Sequence, residues 1–480
     1  MRPTDEVTSW TLADIRRAIA RREVSPVEVV EAHLERIADD NTNAVVTIAD
    51  DALDRARAAE QAVMQGAPLG SLHGVPFTAK EVLDTGGLRT TAGSRLFRDC
   101  VPGRDAESVA ALRRAGAILI GKTNCPEFAL EPQTANPVFG TTHHPQDARL
   151  GPGGSSGGCA AAVAGGLTPL SLGTDYGGSV RFPAHCTGIL GLRPTPGRIP
   201  AGGQRPAAPP GTPRDRFSLV GPLARTPLDL ALALAALDPA STAPVPEPAV
   251  DTDLPACSWA AGEGTVPVRA DIVEVVERAA SLLSDAGYPM DAAAPPGLDR
   301  ADPLFGELRA TDDYADLAAL AAGREDELTP RIRNLLAGAP AVPDRARRER
   351  LLLEVEELRA TMLEFFRRSP ILLLPVAVVP AFPVGSRELE VDGVRHVVDA
   401  MTILAPCRAI SLLGLPALSV PAGRSRDGLP VGVQIVGRPG DDERLLGVAM
   451  VLARSLAGAA GVHGSDSQTN HSPNPGSSTR

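Results

Sequence analysis

Apolar residues recur at helical spacing in Thr11-Leu-Ala-Asp-Ile-Arg-Arg-Ala-Ile-Ala, directly after a threonine placed to cap the helix. Ser25-Pro26 then opens a second helix with proline at its first helical position, and the alanine-rich residues 50–65 extend the helical region. From residue 71 the pattern changes. Short β-prone pieces such as Gly74-Val-Pro-Phe-Thr and Ala117-Ile-Leu-Ile-Gly alternate with helical ones such as Ala106-Glu-Ser-Val-Ala-Ala-Leu-Arg-Arg-Ala. Further along, the pattern predicts helices over 269–287 and 346–368 and a buried strand at Ile371-Leu-Leu-Leu-Pro. Strands at Ala417-Leu-Ser-Val and Val431-Gly-Val-Gln-Ile-Val and a helix from Asp441 follow. This alternation predicts an α/β fold, a sheet flanked by helices.

Between these elements, residues 201–215 are rich in Pro, Gly and Arg and read as a long loop. Residues 239–256 read as a linker or the base of a lid, and 460–480 as a disordered tail. A chain of 480 residues with 43% hydrophobic and 22% charged residues is long enough for a substantial core. Its formal charge of −11 is spread through the sequence, and aromatics are only 3%, so neither a basic groove nor a base-stacking surface is available for nucleic acid. No segment reaches the ~18 continuous apolar residues of a membrane span, and the polar start lacks a signal-peptide pattern, so a cytoplasmic protein is the simplest expectation. The six cysteines (Cys100, Cys125, Cys159, Cys186, Cys257, Cys407) show no C-x-x-C spacing and read as reduced core thiols; neither a metal nor a cofactor is called for.

One compositional fact bears on chemistry. Of 47 basic residues only two are lysines, Lys80 and Lys122. Arginine serves wherever a positive charge suffices, so a surviving lysine marks a place where arginine fails. Arginine stays protonated in proteins, whereas a buried lysine can lose its proton.

Glycine and serine crowd two segments, Gly151-Pro-Gly-Gly-Ser-Ser-Gly-Gly and Gly173-Thr-Asp-Tyr-Gly-Gly-Ser179. The first is open to a structural turn, a catalytic loop or a phosphate cradle, although it lacks the Lys-Ser/Thr ending of a P-loop. In the second, Gly177 and Gly178 precede Ser179 at the end of a predicted strand, where bare backbone N–H groups can approach a substrate oxygen. Serine needs a base to become a nucleophile. No G-x-S-x-G elbow frames one for a histidine, and His185 reads as a core residue. Lys80 follows the inward-running Val75-Pro-Phe-Thr-Ala, where burial would lower its pKa.

These pieces together resemble the amidase signature family of Ser–Ser–Lys hydrolases. The matching segments are His73-Gly-Val-Pro-Phe-Thr-Ala-Lys80, Gly121-Lys-Thr-Asn, Pro126-Glu-Phe, the two Gly/Ser segments, Gly191-Leu-Arg-Pro-Thr, Gly414-Leu-Pro-Ala-Leu-Ser-Val and Gly428-Leu-Pro-Val-Gly-Val-Gln-Ile-Val-Gly. The resemblance implies a mixed central sheet sandwiched between helices in one domain over 1–459. Its parts are an N-terminal helical part (1–66), a signature core (71–200), a variable helical or lid region (239–370) and C-terminal strands and helix (371–459). It also implies a relay in which Lys80 takes a proton from Ser155 and Ser155 takes one from Ser179. The oxyanion would be held by backbone N–H groups of Tyr176, Gly177, Gly178 and Ser179, and a cis peptide bond would precede Ser155. Glu81, Arg193 and His144 stand where the family usually has Asp, Lys and Asn, and Tyr176 is unusually bulky. Asp175 and Arg181 read as a structural ion pair, and Lys122 as a packing or hydrogen-bonding residue.

Two readings compete within the family: a stand-alone amidase of a small carboxamide or anilide, and the glutaminase component of a tRNA-dependent amidotransferase. The drifted 201–215 loop and the extra tail favour the first. A small-molecule amide is then the partner, and a homodimer is allowed. Outside these stand a scaffold that has lost its chemistry and a phosphate binder; the presence of all three reacting residues argues against the former.

Overall fold

The computed structural model describes residues 6–241, 254–261, 266–311, 314–339 and 344–465. Most of the linker expected over 239–256 therefore lies outside the described residues, as do residues 466–480 of the expected tail; before them the last helix runs Asp442–Ser465.

The two N-terminal helices form where their caps predict. Thr11 and Asp14 make a reciprocal capping box ahead of Leu12–Ala20, and Ser25 and Glu28 make another ahead of Pro26–Ala38. Each helix turns its apolar stripe, Leu12, Ile15 and Ile19 in the first and Val29 and Val30 in the second, into the main core.

Among the described residues, one mixed sheet of eleven strands runs through the molecule. Its order is β1 (Val45–Ile48), β3 (Ile118–Thr123), β2 (Pro76–Lys80), β6 (Leu170–Asp175), β8 (Leu219–Ala224), β7 (Leu190–Arg193), β14 (Ala417–Arg424), β15 (Pro430–Val436), β11 (Ile371–Pro375), β9 (Cys257–Trp259) and β10 (Met290–Ala292). Two short hairpins stand apart, β4 (Ala135–Asn136) with β5 (Gly140–Thr141) and β12 (Glu388–Val391) with β13 (Val394–Val397). β2 lies parallel between β3 and β6, while β6, β8, β7, β14, β15 and β11 pair antiparallel in succession. Every residue of β2, β3, β6, β11 and β15 is buried, because helices cover both faces; β11, Ile-Leu-Leu-Leu-Pro, accordingly reads as a continuous apolar run. The β7–β14 pairing sets Leu192 opposite Leu418 and joins the first half of the chain to the last.

Five strands of this sheet escape the apolar pattern: β7 and β8 near its centre, β1 at one edge and β9 and β10 at the other. The expected 201–215 loop ends early, since Thr212-Pro213 caps a short helix, Pro213–Phe217, through the Thr212 hydroxyl.

At the middle of the sheet lies a buried ionic node. Asp175, the last residue of β6, is fully enclosed together with Arg181 and Arg193. Its carboxylate accepts from Arg181 Nε at 3.0 Å and Nη2 at 2.8 Å, and from the Gly178 and Val180 N–H groups at 2.8 and 3.2 Å. Arg181 also reaches Ser411 Oγ at 2.6 Å, the Cys407 carbonyl at 3.1 Å and Gln434 Oε1. Arg193 donates to the Asp175, Phe217 and Ser411 carbonyls. The expected Asp175–Arg181 pair is therefore structural, with no solvent-facing edge. Burial alone would raise the Asp175 pKa, but the two guanidinium groups and the backbone donors outweigh it and hold the carboxyl well below the usual carboxylate range.

Replacing Asp175 by Asn should therefore cost about 3–5 kcal/mol in denaturant unfolding, because two guanidinium groups lose their counter-charge in the interior. The depressed pKa fixes the sign of the pH dependence. The stabilisation from Asp175 is complete above about pH 4, the value of an unfolded carboxyl, and is lost as pH falls toward the lower folded value. Between wild type and Asp175→Asn, the difference in unfolding midpoint should stay constant from pH 7 to about pH 5 and begin to narrow as the pH falls below about 4.

Candidate active site

β2 delivers Lys80 to the centre of the sheet, where it is completely buried. Its Nζ donates to Ser155 Oγ at 2.7 Å and to Thr174 Oγ1, on the neighbouring β6, at 2.9 Å. Burial lowers its pKa to about 8 against the opposing pull of nearby acidic groups, Asp175 among them. A substantial neutral fraction thus exists near neutrality, a state that no arginine at this position would reach.

Ser155 arrives on the first Gly/Ser loop, and the Gly154–Ser155 peptide bond is cis, as the resemblance implies. The loop runs into the helix Gly157–Ala164, built almost wholly of Gly, Ala and Cys. Small residues are required because a Cβ on Gly157 would stand 2.2 Å from Thr134 Oγ1 and one on Gly158 would stand 2.4 Å from Asn124 N. The next residue, Ser156, sews the loop to its surroundings. Its N–H donates to the Ser179 carbonyl at 3.1 Å, its hydroxyl donates to the Thr174 carbonyl at 3.2 Å, and that hydroxyl accepts the Thr174 N–H at 3.3 Å. The backbones around Ser155 and Ser179 are thereby locked together.

The turn carrying Ser179 lies flat against the helix Ala405–Leu412. Gly178 takes φ +119°, and a Cβ there would sit 2.6 Å from Cys407 Cβ, while one on Gly177 would sit 3.0 Å from Arg408 Cγ. Only glycine fits both places. One expectation needs correction. Of the four backbone groups assigned to an oxyanion, Gly178 gives its N–H to Asp175 Oδ1 at 2.8 Å, since the buried carboxylate needs that donor. The Tyr176 ring lies beside Phe305, with ring centroids 5.1 Å apart, and has Arg309 5.4 Å above its own centroid.

Ser155, Thr174, Tyr176 and Ser179 open onto a pocket of about 250 Å³. Its far wall comes from the 201–215 loop and from segments that the sequence left without a role: Val82, Phe128 and Ala129. Phe128 and Ala129 hold φ at +54° and +59°, in the left-handed region that non-glycine residues avoid. Glu127 clamps this turn by accepting from Ser94 Oγ at 2.7 Å and from the Thr329 N–H at 2.9 Å. The Pro126-Glu-Phe motif was the available signal for that wall. Arg214 lines the pocket too and had no signal beyond the Thr-Pro cap before it.

The other singled-out residues lie elsewhere. Lys122 is buried, and its Nζ donates to the Leu83 carbonyl, to Thr85 Oγ1 at 3.1 Å and to Thr90 Oγ1 at 2.9 Å, tying β3 to the 83–90 loop. Glu81 accepts from the Thr91 N–H and hydroxyl at 2.6 and 2.9 Å, and burial raises its pKa. His185 is a core residue. Its Nδ1 accepts from the Gly432 N–H at 3.0 Å, its Nε2 meets the Val379 carbonyl at 3.2 Å, and burial lowers its pKa to about 4. His144 is buried away from the pocket, with Nε2 on the Cys186 carbonyl at 3.0 Å. The six cysteines are unpaired thiols.

The chain is similar to several known proteins. A glutamyl-tRNA(Gln) amidotransferase subunit from Thermus thermophilus is 34% identical, over 93% of this chain and 97% of that protein. An indoleacetamide hydrolase from Bradyrhizobium diazoefficiens is 33% identical, over 96% of this chain and 88% of that one. A crystal structure of a bacterial aryl acylamidase of the amidase signature family superposes with a TM-score of 0.81 at 27% identity, over 93% of this chain and 96% of that one. The model of the amidase family matches residues 28–446, and the chain belongs to that family.

Proposed function

We propose that this protein is an amidase that hydrolyses a small carboxamide or anilide through an acyl-enzyme on Ser179. The observation that carries this reading is a fully buried lysine with a pKa lowered to about 8, bonded at 2.7 Å to a serine that shares a pocket with a second, glycine-flanked serine. Neutral Lys80 takes the Ser155 hydroxyl proton as Ser155 takes that of Ser179, and Ser179 Oγ bonds to the amide carbon. The N–H groups of the turn other than that of Gly178 stabilise the oxyanion, each contributing about 10²–10³ in rate. Collapse breaks the C–N bond, and the leaving amine receives its proton back through Ser155 from Lys80. Water then attacks the ester by the same route, giving a carboxylate and free Ser179. The pocket volume suits a small substrate, being below the ~300–1,000 Å³ of sites for drug-sized ligands.

The 34% identity to an amidotransferase component favours a second reading, a glutaminase that works with partner proteins. Glutamine hydrolysis that appears only when such partners are added would establish it over the stand-alone enzyme.

Two experiments test the relay. Because kcat/KM reports the free enzyme, it should rise with pH and reach half its maximum near pH 8, where Lys80 loses its proton. Lys80→Arg should keep the fold by circular dichroism yet lose about 10⁴-fold or more in kcat, since the guanidinium does not accept a proton. A serine-reactive phosphonate should label Ser179, as read by peptide mass spectrometry, and Ser179→Ala should abolish both labelling and turnover. Label on another residue would overturn the assignment.

A further inference from the structure

The pocket wall opposite the serines carries a guanidinium group that the chemistry at Ser179 does not use. Arg214, on the short helix Pro213–Phe217, is 8% exposed and lines the pocket. Its Nη2 donates to Asp316 Oδ2. Its Nε is buried and has no acceptor among the described residues. That nitrogen is shut off from the pocket, so the donor left to meet a ligand oxygen is the remaining guanidinium nitrogen, Nη1, which has no acceptor among the described residues.

The charges around Arg214 restrict what that oxygen belongs to. Asp316 already balances the guanidinium, and Asp215, on the same turn and also lining the pocket, adds a second negative charge while accepting the Gly211 N–H at 2.9 Å. The other guanidinium of the wall, Arg205, is held by Asp84 at 2.9 and 3.1 Å and stacks 5.4 Å over Phe97. Among the described residues of the wall, no uncompensated cation therefore waits for a substrate carboxylate, which would bring a further anion into a site already supplied with counter-charge. An uncharged carbonyl oxygen accepts from Arg214 without that cost. The remaining wall, with Val82, Phe128, Ala129 and Pro206, is apolar and suits the carbon skeleton between the two groups.

We infer that Arg214 is a specificity residue that reads a second, uncharged carbonyl on the substrate, so that the preferred substrates are neutral diamides or ureides rather than simple alkyl amides or amides bearing a carboxylate. This inference rests on the amidase reading of Ser179. The test compares kcat/KM for succinamide and glutaramide with their alkyl isosteres (4-methylpentanamide, 5-methylhexanamide) and with the mono-acids succinamate and glutaramate. At least one diamide should exceed its alkyl isostere by roughly 10- to 100-fold, the range for a hydrogen bond to a charged donor, and should exceed its mono-acid. Arg214→Met should collapse the diamide-to-alkyl ratio, chiefly through KM. Asp316→Asn, which leaves the guanidinium charge unbalanced, should raise the mono-acid-to-diamide ratio about tenfold.

Ser179-dependent hydrolysis of the alkyl amides with no diamide preference overturns this inference alone, as does a diamide preference that survives Arg214→Met. Loss of all amide hydrolysis, or hydrolysis that persists in Ser179→Ala, overturns the amidase reading itself. Should either Arg214 or Asp316 variant fail to fold, the wild-type ratios decide the matter by themselves.

Discussion

The Asp175 carboxylate and its two arginines are the interaction around which the rest of the site is arranged. A carboxylate at full burial is tolerable only when its oxygens are saturated, and here the saturating groups are Gly178, Val180 and Arg181, all within six residues, with Arg193 adding a longer contact at 3.4 Å. Gly178 and Val180 supply N–H groups, which bends the backbone after β6 into the turn that presents Ser179. Arg181 supplies a two-pronged contact and carries the connection onward to Ser411 and Gln434. The geometry of the turn that carries Ser179 is thus set by the electrostatic needs of the residue four positions before it. This also explains why Gly178 turns its N–H inward while its neighbours border the pocket.

Close approach of backbone is the second constraint. The helix after Ser155 and the turn before Ser179 each press against another segment at distances that no side chain allows, and glycine or alanine occupies those places. Such contacts bring Lys80, Ser155 and Thr174 within hydrogen-bonding distance. The two lysines divide this interior between them. Lys80 points to hydroxyls beside the pocket, whereas Lys122 spends its three N–H groups on one carbonyl and two threonines, a tetrahedral set that arginine's planar fork does not match.

Much of this was legible in the sequence because the signals were local. Thr11, Ser25 and Pro26 mark helix starts through contacts within one turn, and Ile371–Pro375 announces a buried strand by its unbroken apolar run. The survival of Lys80 among arginines pointed to a position where deprotonation matters. What escaped notice is non-local. β7 is four residues long and contains an arginine, so nothing in its pattern reveals that it pairs with β14 more than two hundred positions later. Phe128 and Ala129 adopt left-handed backbone for reasons that lie in Ser94 and Thr329, outside their own segment. The inward use of the Gly178 N–H was equally hidden, since a glycine pair before a serine looks the same whether its donors face a substrate or a carboxylate.

The reach of Arg181 to Cys407, Ser411 and Gln434 has a consequence for biosynthesis. Lys80, Ser155 and Ser179 leave the ribosome early, but the groups that seat the turn around Ser179 belong to the final quarter of the chain. A growing polypeptide therefore holds every reacting side chain long before it holds their alignment. With those groups absent the turn lacks its seat, and it gains one when β15 closes onto β14 and β11.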